Sequence, residues 1–146
     1  MSRPFRPQNK DAVIAWFRDE EKERSAVLDP QTNEPAEWFH GIVPRKDAEN
    51  MLTSEPIGSY LVRLSDKVWG YVISYRAPDG FSHYMVDRIE NGYQFLSDPY
   101  EFKHATLADL ILYHVNNPIA RESTKKLIKP IGQIKSPPDY HYLFNS

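Results

Sequence analysis

Two stretches of the chain place apolar residues three and four positions apart, which is the period of an amphipathic helix. The first stretch follows Pro44, a residue suited to the first turn of a helix. The second opens with the capping pattern Thr106-Leu107-Ala108-Asp109 and ends at Asn116-Asn117-Pro118. Both stretches are therefore predicted to be helices. Their apolar stripes consist of Ala48, Met51 and Leu52 in the first helix and of Leu107, Leu110, Ile111 and His114 in the second.

Between these helices, β-branched and aromatic residues form four short runs separated by turn-forming residues. The first run is apolar on both faces except at Arg63, which predicts a central strand. Asn91-Gly92 is a strong signal for a two-residue hairpin, so neighbouring strands are expected to be antiparallel. We predict an α+β fold with a central antiparallel β-sheet flanked by two α-helices, plus an extra N-terminal helix. The runs are Ser59–Leu64, Tyr71–Tyr75, Phe81–Val86 and Tyr93–Leu96.

An extension precedes this unit, and its apolar residues cluster in one place. Residues 1–8 contain two prolines and are expected to be a flexible lead-in. Asn9 is a suitable N-cap for a short amphipathic helix within residues 10–24. Its apolar patch could dock on the domain, contact another chain or belong to a longer helix. The patch consists of Val13, Trp16 and Phe17.

The chain of 146 residues has room for one ordinary core. We expect an extension over residues 1–37 that includes a linker, a domain over 38–132 and a tail over 133–146. The absence of cysteine excludes a disulfide scaffold, a thiolate zinc site and a cysteine-dependent phosphatase. No segment has the apolar length of a signal peptide core or a membrane span, so we expect a cytoplasmic protein. Neither a cofactor nor a metal is expected.

Arg63 is the residue whose chemistry does not fit its predicted position. Side chains alternate along a strand, so Arg63 shares a face with Leu61 that the strand pattern predicts to be buried. A buried guanidinium needs an anion, because arginine does not lose its proton in proteins. That anion could be an internal carboxylate or an external ligand. The candidate internal partners are Asp47, Asp66 and Asp109.

Three other parts of the sequence offer groups that could bind the same anion as Arg63. The turn Ser65-Asp66-Lys67 offers a hydroxyl, backbone N–H groups and an ammonium, all of which can bind phosphate. Arg45 lies in the first turn of a helix, where its charge opposes the positive end of the helix dipole unless an anion joins them. His83 lies within the third predicted strand, and it could equally be a ligand contact or a satisfied core histidine.

Four motifs together resemble the Src homology 2 (SH2) family in order and spacing, from Trp38 to Gly132. The most specific is the Leu-Val-Arg tripeptide that ends at Arg63 after Gly-Ser-aromatic. The flanks resemble the subgroup of haematopoietic and type-4 SH2-domain-containing proteins. The motifs are Trp38-Phe39-His40-Gly41-Ile42, Gly58-Ser59-Tyr60-Leu61-Val62-Arg63, His83-Tyr84 and Thr106-Leu107-Ala108-Asp109-Leu110.

The resemblance implies a non-enzymatic adaptor module that binds phosphotyrosine in tyrosine-kinase signalling. Arg63 matches the family's phosphate-binding arginine, and a groove for the rest of the peptide borders Tyr84 and the loop that begins at Leu96. Expected partners are tyrosine-phosphorylated proteins or peptides. The further residues that the resemblance assigns to the phosphotyrosine pocket are Arg45, Ser65, Lys67 and His83.

Two departures from the family pattern leave an alternative open. Leu64 replaces a common acidic residue, and Met85 lies where many members have a lysine. A degenerate module kept as a scaffold or lipid-surface contact is therefore a second reading.

Two other classes of function are disfavoured. The chain shows no obvious nucleophile beside a general base, which argues against a phosphate-processing enzyme. Its net charge of −2 and pI near 6.2 argue against a nucleic-acid binder. Phosphorylation of Tyr140 or Tyr142 in the tail could regulate binding, whereas packing of both rings on the domain is the alternative.

Overall fold

The computed structural model describes residues 4–96, 103–119, 124–133 and 140–144. The extension forms helix α1 (Lys10–Trp16), which continues into a π-helical turn (Phe17–Glu21). The domain then runs through α2 (Arg45–Leu52), β1 (Ser59–Leu64), β2 (Gly70–Ala77), β3 (Gly80–Ile89), β4 (Gly92–Phe95), α3 (Leu107–Asn116) and β5 (Lys129–Pro130). A short helix, α4 (His141–Phe144), lies in the tail.

The five strands form one sheet in the order β4-β3-β2-β1-β5. Strands β1 to β4 are antiparallel neighbours, as predicted, and the register places Arg63 opposite Val72 and Ser74 opposite His83. Strand β5 was not predicted; it pairs in parallel with the first two residues of β1. The other half of that edge of β1 is hydrogen-bonded to residues 38–41. Strand β1 is therefore covered along its whole length, and Arg63 lies in the interior of the sheet.

Helices cover both faces of the sheet. On the face of Arg63, Ala48 and Leu52 of α2 pack with Leu61 in a small apolar cluster. On the other face, the larger cluster includes Leu107, Leu110 and Ile111 of α3 together with the rings of β1 and β2. Thr106 Oγ1 accepts a 3.0 Å hydrogen bond from the Asp109 N–H, so the predicted cap opens α3. The predicted α+β fold is confirmed.

The N-terminal extension docks on the domain, one of the three alternatives that the sequence left open. Val13, Trp16 and Phe17 are 2%, 4% and 0% exposed and belong to the large cluster. The expectation of a flexible lead-in is wrong for residues 4–8: Pro7 is buried, and the Trp69 indole donates a 2.8 Å hydrogen bond to the Pro4 carbonyl. Residues 1–3 lie outside the described part of the chain.

A buried carboxylate ties the extension to the sheet. Glu21 is fully buried, and its Oε1 accepts hydrogen bonds from the hydroxyls of Tyr71 (2.9 Å) and Tyr93 (2.6 Å). Arg88 Nε lies 3.3 Å from Oε2, close enough for an ion pair but not aligned as a hydrogen bond. Burial and Glu21 raise the pKa of both tyrosines well above the ordinary value, so both hydroxyls remain protonated donors. The extension is thus part of the folded unit.

The hairpin between β3 and β4 forms with a different loop from the predicted one. Ile89 pairs with Gly92, so Glu90 and Asn91 form the two-residue loop and Gly92 begins β4. A Cβ on Gly92 would lie 2.1 Å from the carbonyl oxygen of His104, and its φ is +151°. The glycine is therefore required by the close approach of a neighbouring segment rather than by the turn itself.

Candidate functional site

An open cavity of about 840 Å³ lies on the α2 face of the sheet. Its walls come from the start of α2, from strands β1 to β3, from the loop 65–69 between β1 and β2, and from the N-terminal segment before α1. The structure brings five of the predicted site residues to this cavity: Arg45, Arg63, Ser65, Lys67 and His83.

Arg63 lies at the base of the cavity with only 9% of its surface exposed. Its Nε donates to Ser74 Oγ at 3.0 Å, and its Nη1 donates to the Val43 carbonyl at 3.3 Å. Burial lowers the pKa of the Arg63 guanidinium, but the group stays charged at neutral pH. Among the described residues no carboxylate forms an ion pair with it, so the internal salt bridge considered from the sequence does not form.

A chain of hydrogen bonds joins Arg63 to Arg45. Beyond the Ser74 hydroxyl, which accepts from Arg63, His83 Nδ1 lies 2.9 Å from Ser74 Oγ and His83 Nε2 lies 2.8 Å from Glu49 Oε2. Arg45 Nε donates to the same Glu49 oxygen at 3.2 Å. One tautomer of neutral His83 satisfies both contacts, because Nδ1 then accepts from Ser74 and Nε2–H donates to Glu49. This series of hydrogen bonds fixes the direction of the Arg63 side chain and the orientation of the His83 ring.

The pKa values of His83 and Glu49 are both lowered, whereas in an ordinary ion pair the pKa of the histidine would be raised. Burial lowers the pKa of His83, and the nearby charges of Arg63 and Arg45 lower it further, whereas Glu49 opposes this shift. The pKa of Glu49 is lowered, chiefly by its hydrogen bond to His83. At neutral pH the contact therefore joins a neutral imidazole to a carboxylate. The positive charge of the cavity comes from its arginines and lysines.

The loop 65–69 is shaped by Ser65. Its buried hydroxyl oxygen accepts hydrogen bonds from the backbone N–H groups of Lys67 (2.9 Å) and Val68 (3.2 Å). Ser65 therefore holds the turn, and Asp66 and Lys67 are exposed at the cavity wall. Arg45 is also exposed, with 71% of its side chain accessible. Exposed cations thus surround an opening whose base is the buried Arg63.

The two residues expected in the peptide groove lie outside this cavity. Tyr84 is half-buried on β3 and packs edge-to-face against Tyr75 and Phe95. Leu96 follows β4 and is 45% exposed. Residues 97–102, which were expected to shape the groove together with Leu96, lie outside the described part of the chain. The assignment of a groove to Tyr84 and Leu96 stays a prediction.

Sequence reasoning missed three groups around Arg63. Ser74 was a lone polar residue in an apolar strand, and Glu49 is four residues after Arg45 on one helix face, so both had a detectable signal. The Val43 carbonyl had none, since any backbone can supply it. The N-terminal wall of the cavity was also missed. No cluster of metal-ligating side chains occurs within the described ranges, and no helix there is long and apolar enough to cross a membrane.

Comparison with protein families gives a match for residues 38–114 to the family model described as the SH2 domain. The chain is 38% identical over 132 residues to SH2 domain-containing protein 4A from Xenopus tropicalis, an alignment that covers 90% of this chain and 29% of the relative. It is 38% identical over 110 residues to a human haematopoietic SH2 domain-containing protein, covering 74% of this chain and 30% of that protein. The chain thus spans less than a third of these relatives.

Among solved structures, the NMR structure of the SH2 domain of a CRK/CRKL homologue from Monosiga brevicollis superimposes with a TM-score of 0.59 at 26% sequence identity. The alignment covers 70% of this chain and 92% of that domain. The remaining 30% of this chain lies outside that alignment.

Proposed function

This chain belongs to the SH2 domain family, whose members are phosphotyrosine-binding signalling modules, and we propose that its own role is to bind tyrosine-phosphorylated peptides with Arg63 as the phosphate anchor. In this proposal the chain is an adaptor in tyrosine-kinase signalling that works in the cytoplasm. The names of its relatives, SH2 domain-containing proteins, support the assignment to this kind of module. The expected partners are phosphotyrosine proteins rather than nucleic acid, since the chain has a net charge of −2.

The observation that carries the proposal is the unused hydrogen-bonding capacity of Arg63. A guanidinium has five N–H donors, of which one on Nε is taken by Ser74 and one on Nη1 by Val43. A third, on Nη2, faces His83 Nδ1 at 3.5 Å. By this count one N–H on each of Nη1 and Nη2 is left, which is the number that bidentate binding of a phosphate uses. A buried charge with a free fork needs an external anion.

The depth of Arg63 supports selectivity for phosphotyrosine. The guanidinium lies at the base of the cavity, beneath the exposed side chains of Arg45 and Lys67. A phosphate on a long rigid phenol reaches that depth, whereas phosphoserine carries its phosphate close to the peptide backbone. Phosphoserine peptides are therefore expected to bind only through the exposed cations at the rim.

One arrangement of side chains resembles a catalytic triad, but the burial of Ser74 argues against an enzymatic role. Ser74, His83 and Glu49 are joined in the order of a serine–histidine–carboxylate triad, with contacts of 2.9 Å and 2.8 Å. Ser74 is 0% exposed, however, and its oxygen already accepts from Arg63. No substrate carbonyl can reach this hydroxyl, and its lone pair is used by a cation. We therefore assign these residues to positioning Arg63, in a module without catalytic activity.

Phosphorylation of Tyr140 or Tyr142 in the tail could regulate binding only after the tail leaves the domain. Tyr140 stacks on Phe39 with ring centroids 5.7 Å apart, and the hydroxyl of Tyr142 accepts a 3.3 Å hydrogen bond from the Ile42 N–H. Both rings therefore pack on the domain, and Leu143, the residue after Tyr142, is fully buried. A kinase would reach either tyrosine only when α4 leaves this position. Treatment with a tyrosine kinase that leaves both residues unmodified, in the intact chain and in Leu143→Asp, would contradict such regulation.

The proposed function is tested with three peptides of one sequence that contain phosphotyrosine, tyrosine or phosphoserine at one position. Titration calorimetry is expected to show saturable binding of the phosphotyrosine peptide alone at micromolar concentration. Equal binding of the three peptides would contradict the proposal, as would binding of none from a degenerate library of phosphotyrosine peptides. The second result would favour the scaffold alternative that Leu64 and Met85 suggested.

A further inference from the structure

The N-terminal segment before α1 forms part of the cavity that contains Arg63. Residues 6–10 all line it, together with Val13 of α1. Two of these residues, Arg6 and Lys10, are exposed cations, and among the described residues neither forms an ion pair. The segment lies outside the range matched by the family model, which begins at residue 38. This wall is therefore a feature of this chain's extension.

The segment is held in place from both ends. The Pro4 carbonyl accepts a hydrogen bond from the indole of Trp69, the last residue of the loop 65–69, and the same indole packs 5.9 Å from Trp16. At the other end, Asn9 Oδ1 accepts a 2.8 Å hydrogen bond from the Ala12 N–H and caps α1. The Lys10 ammonium lies 5.7 Å from the centre of the Tyr142 ring. The two cations are thus placed beside the cavity before any ligand arrives.

The charge and the size of the cavity both exceed what one phosphate needs. The cationic side chains in its lining are Arg6, Lys10, Arg45, Arg63 and Lys67, against the single carboxylate of Asp66. A phosphotyrosine group takes the Arg63 end, and 840 Å³ is near the upper end of the range of roughly 300–1,000 Å³ for small-molecule sites. Met85, which also lines the cavity, adds no charge there. Arg6 and Lys10 line the same cavity from the N-terminal segment.

We propose that Arg6 and Lys10 bind a second anionic group of the same ligand, an acidic or phosphorylated residue that flanks the phosphotyrosine. This inference rests on the proposed function, because Arg63 must first anchor the phosphate. The extension would then contribute to specificity. A domain that begins at residue 38 would bind phosphotyrosine peptides with a smaller preference for acidic flanking residues. Exposed ion pairs are individually weak, so the two cations together are expected to supply about a tenfold preference.

The test uses two phosphotyrosine peptides that differ only in their flanking residues, which are Asp and Glu in one and Asn and Gln in the other. Their Kd values are measured for the intact chain, for the double variant Arg6→Gln/Lys10→Gln and for Lys46→Gln. Lys46 is an exposed lysine on α2 that does not line the cavity, so Lys46→Gln removes one positive charge elsewhere on the surface, against two in the double variant. Thermal melts of all variants show whether they fold.

The expected result is an acidic-peptide preference of about tenfold in the intact chain and in Lys46→Gln, reduced to about twofold or less in the double variant. The neutral peptide should bind the intact chain and the double variant with similar Kd. An unchanged preference in the double variant, or no preference in the intact chain, would overturn the inference while Arg63-dependent binding of the neutral peptide upholds the proposed function. Failure of both phosphopeptides to bind would overturn both.

Discussion

Arg63 on β1 donates a 3.0 Å hydrogen bond from Nε to the hydroxyl of Ser74 on β2, so the guanidinium is held from behind and its outer edge faces the cavity. Antiparallel pairing brings the two residues together, since Arg63 lies opposite Val72 and Ser74 is two residues further along the same face. The rest of the site follows from this contact, because Ser74 also joins Arg63 to His83 and Glu49.

Replacing Ser74 with alanine is expected to weaken phosphotyrosine binding by about tenfold, because a hydrogen bond to a charged group contributes roughly 1.5–3 kcal/mol and here orients the anchor. Titration calorimetry with one phosphotyrosine peptide measures the change. Ser59→Ala is the matched control, since Ser59 is a buried serine on β1 whose hydroxyl has no partner in the described structure. Equal affinities for the two variants would show that Ser74 does not position Arg63.

The pKa of His83 is expected to lie below its ordinary value of about 6.5 and to fall further in Glu49→Gln. Burial and the two arginines lower this pKa, and the Glu49 carboxylate opposes them, so neutralising the carboxylate removes an upward influence. The imidazole resonances followed by NMR across pH 4–8 measure the value. Glu55→Gln, which breaks the remote pair with Lys129 instead, should leave the pKa of His83 unchanged.

The same shift has a consequence for stability. A histidine whose folded pKa is lowered stabilises the fold above its unfolded pKa of about 6.5, and this contribution is lost as the pH falls towards the folded value. The free energy of unfolding should therefore fall below pH 6.5 more steeply in the natural chain than in His83→Gln. Parallel pH profiles for the two proteins would contradict a neutral, buried His83.

Glu21→Gln is expected to lower the free energy of unfolding by about 3 kcal/mol, because Arg88 would lose its charge partner in a buried setting. Denaturant unfolding followed by tryptophan fluorescence measures this, since Trp16, Trp38 and Trp69 report on the extension, the start of the domain and the loop 65–69. Glu23→Gln removes an exposed carboxylate two residues away and should change stability by less than about 0.5 kcal/mol. Two separate transitions would show that the extension does not unfold with the domain.

The parts of the fold that the sequence predicted well are those in which one segment determines its own structure. Strand β1 occupies residues 59–64, as its continuous apolar run predicts, and α3 begins after Thr106, as the cap predicts. Strand β5 was missed because Lys129-Pro130 carries no strand pattern, and its pairing with β1 arises from the arrangement of distant segments. Local patterns thus predict elements, but not the partners that complete a sheet edge.

The sequence predicted the burial of Arg63 but not that of Glu21, because local patterns do not show contacts with distant segments. Arg63 is conspicuous because a lone cation interrupts an apolar strand. Glu21 lies in a run of charged residues, which indicates a solvent-exposed helix face. Its contacts with Tyr71, Tyr93 and Arg88 make its burial favourable. The cationic wall at Arg6 and Lys10 likewise depends on docking of the extension, which the sequence presented as one of several alternatives.

The central claim is that Arg63 anchors a phosphate through its fork, and the most direct test is the Kd of Arg63→Lys for a phosphotyrosine peptide by titration calorimetry. Lysine keeps the charge but cannot form the bidentate contact, so the account predicts a loss of at least about 2 kcal/mol, roughly thirtyfold or more. Arg76→Lys, on β2 outside the cavity lining, should bind like the natural chain. Unchanged affinity in a folded Arg63→Lys would contradict the account.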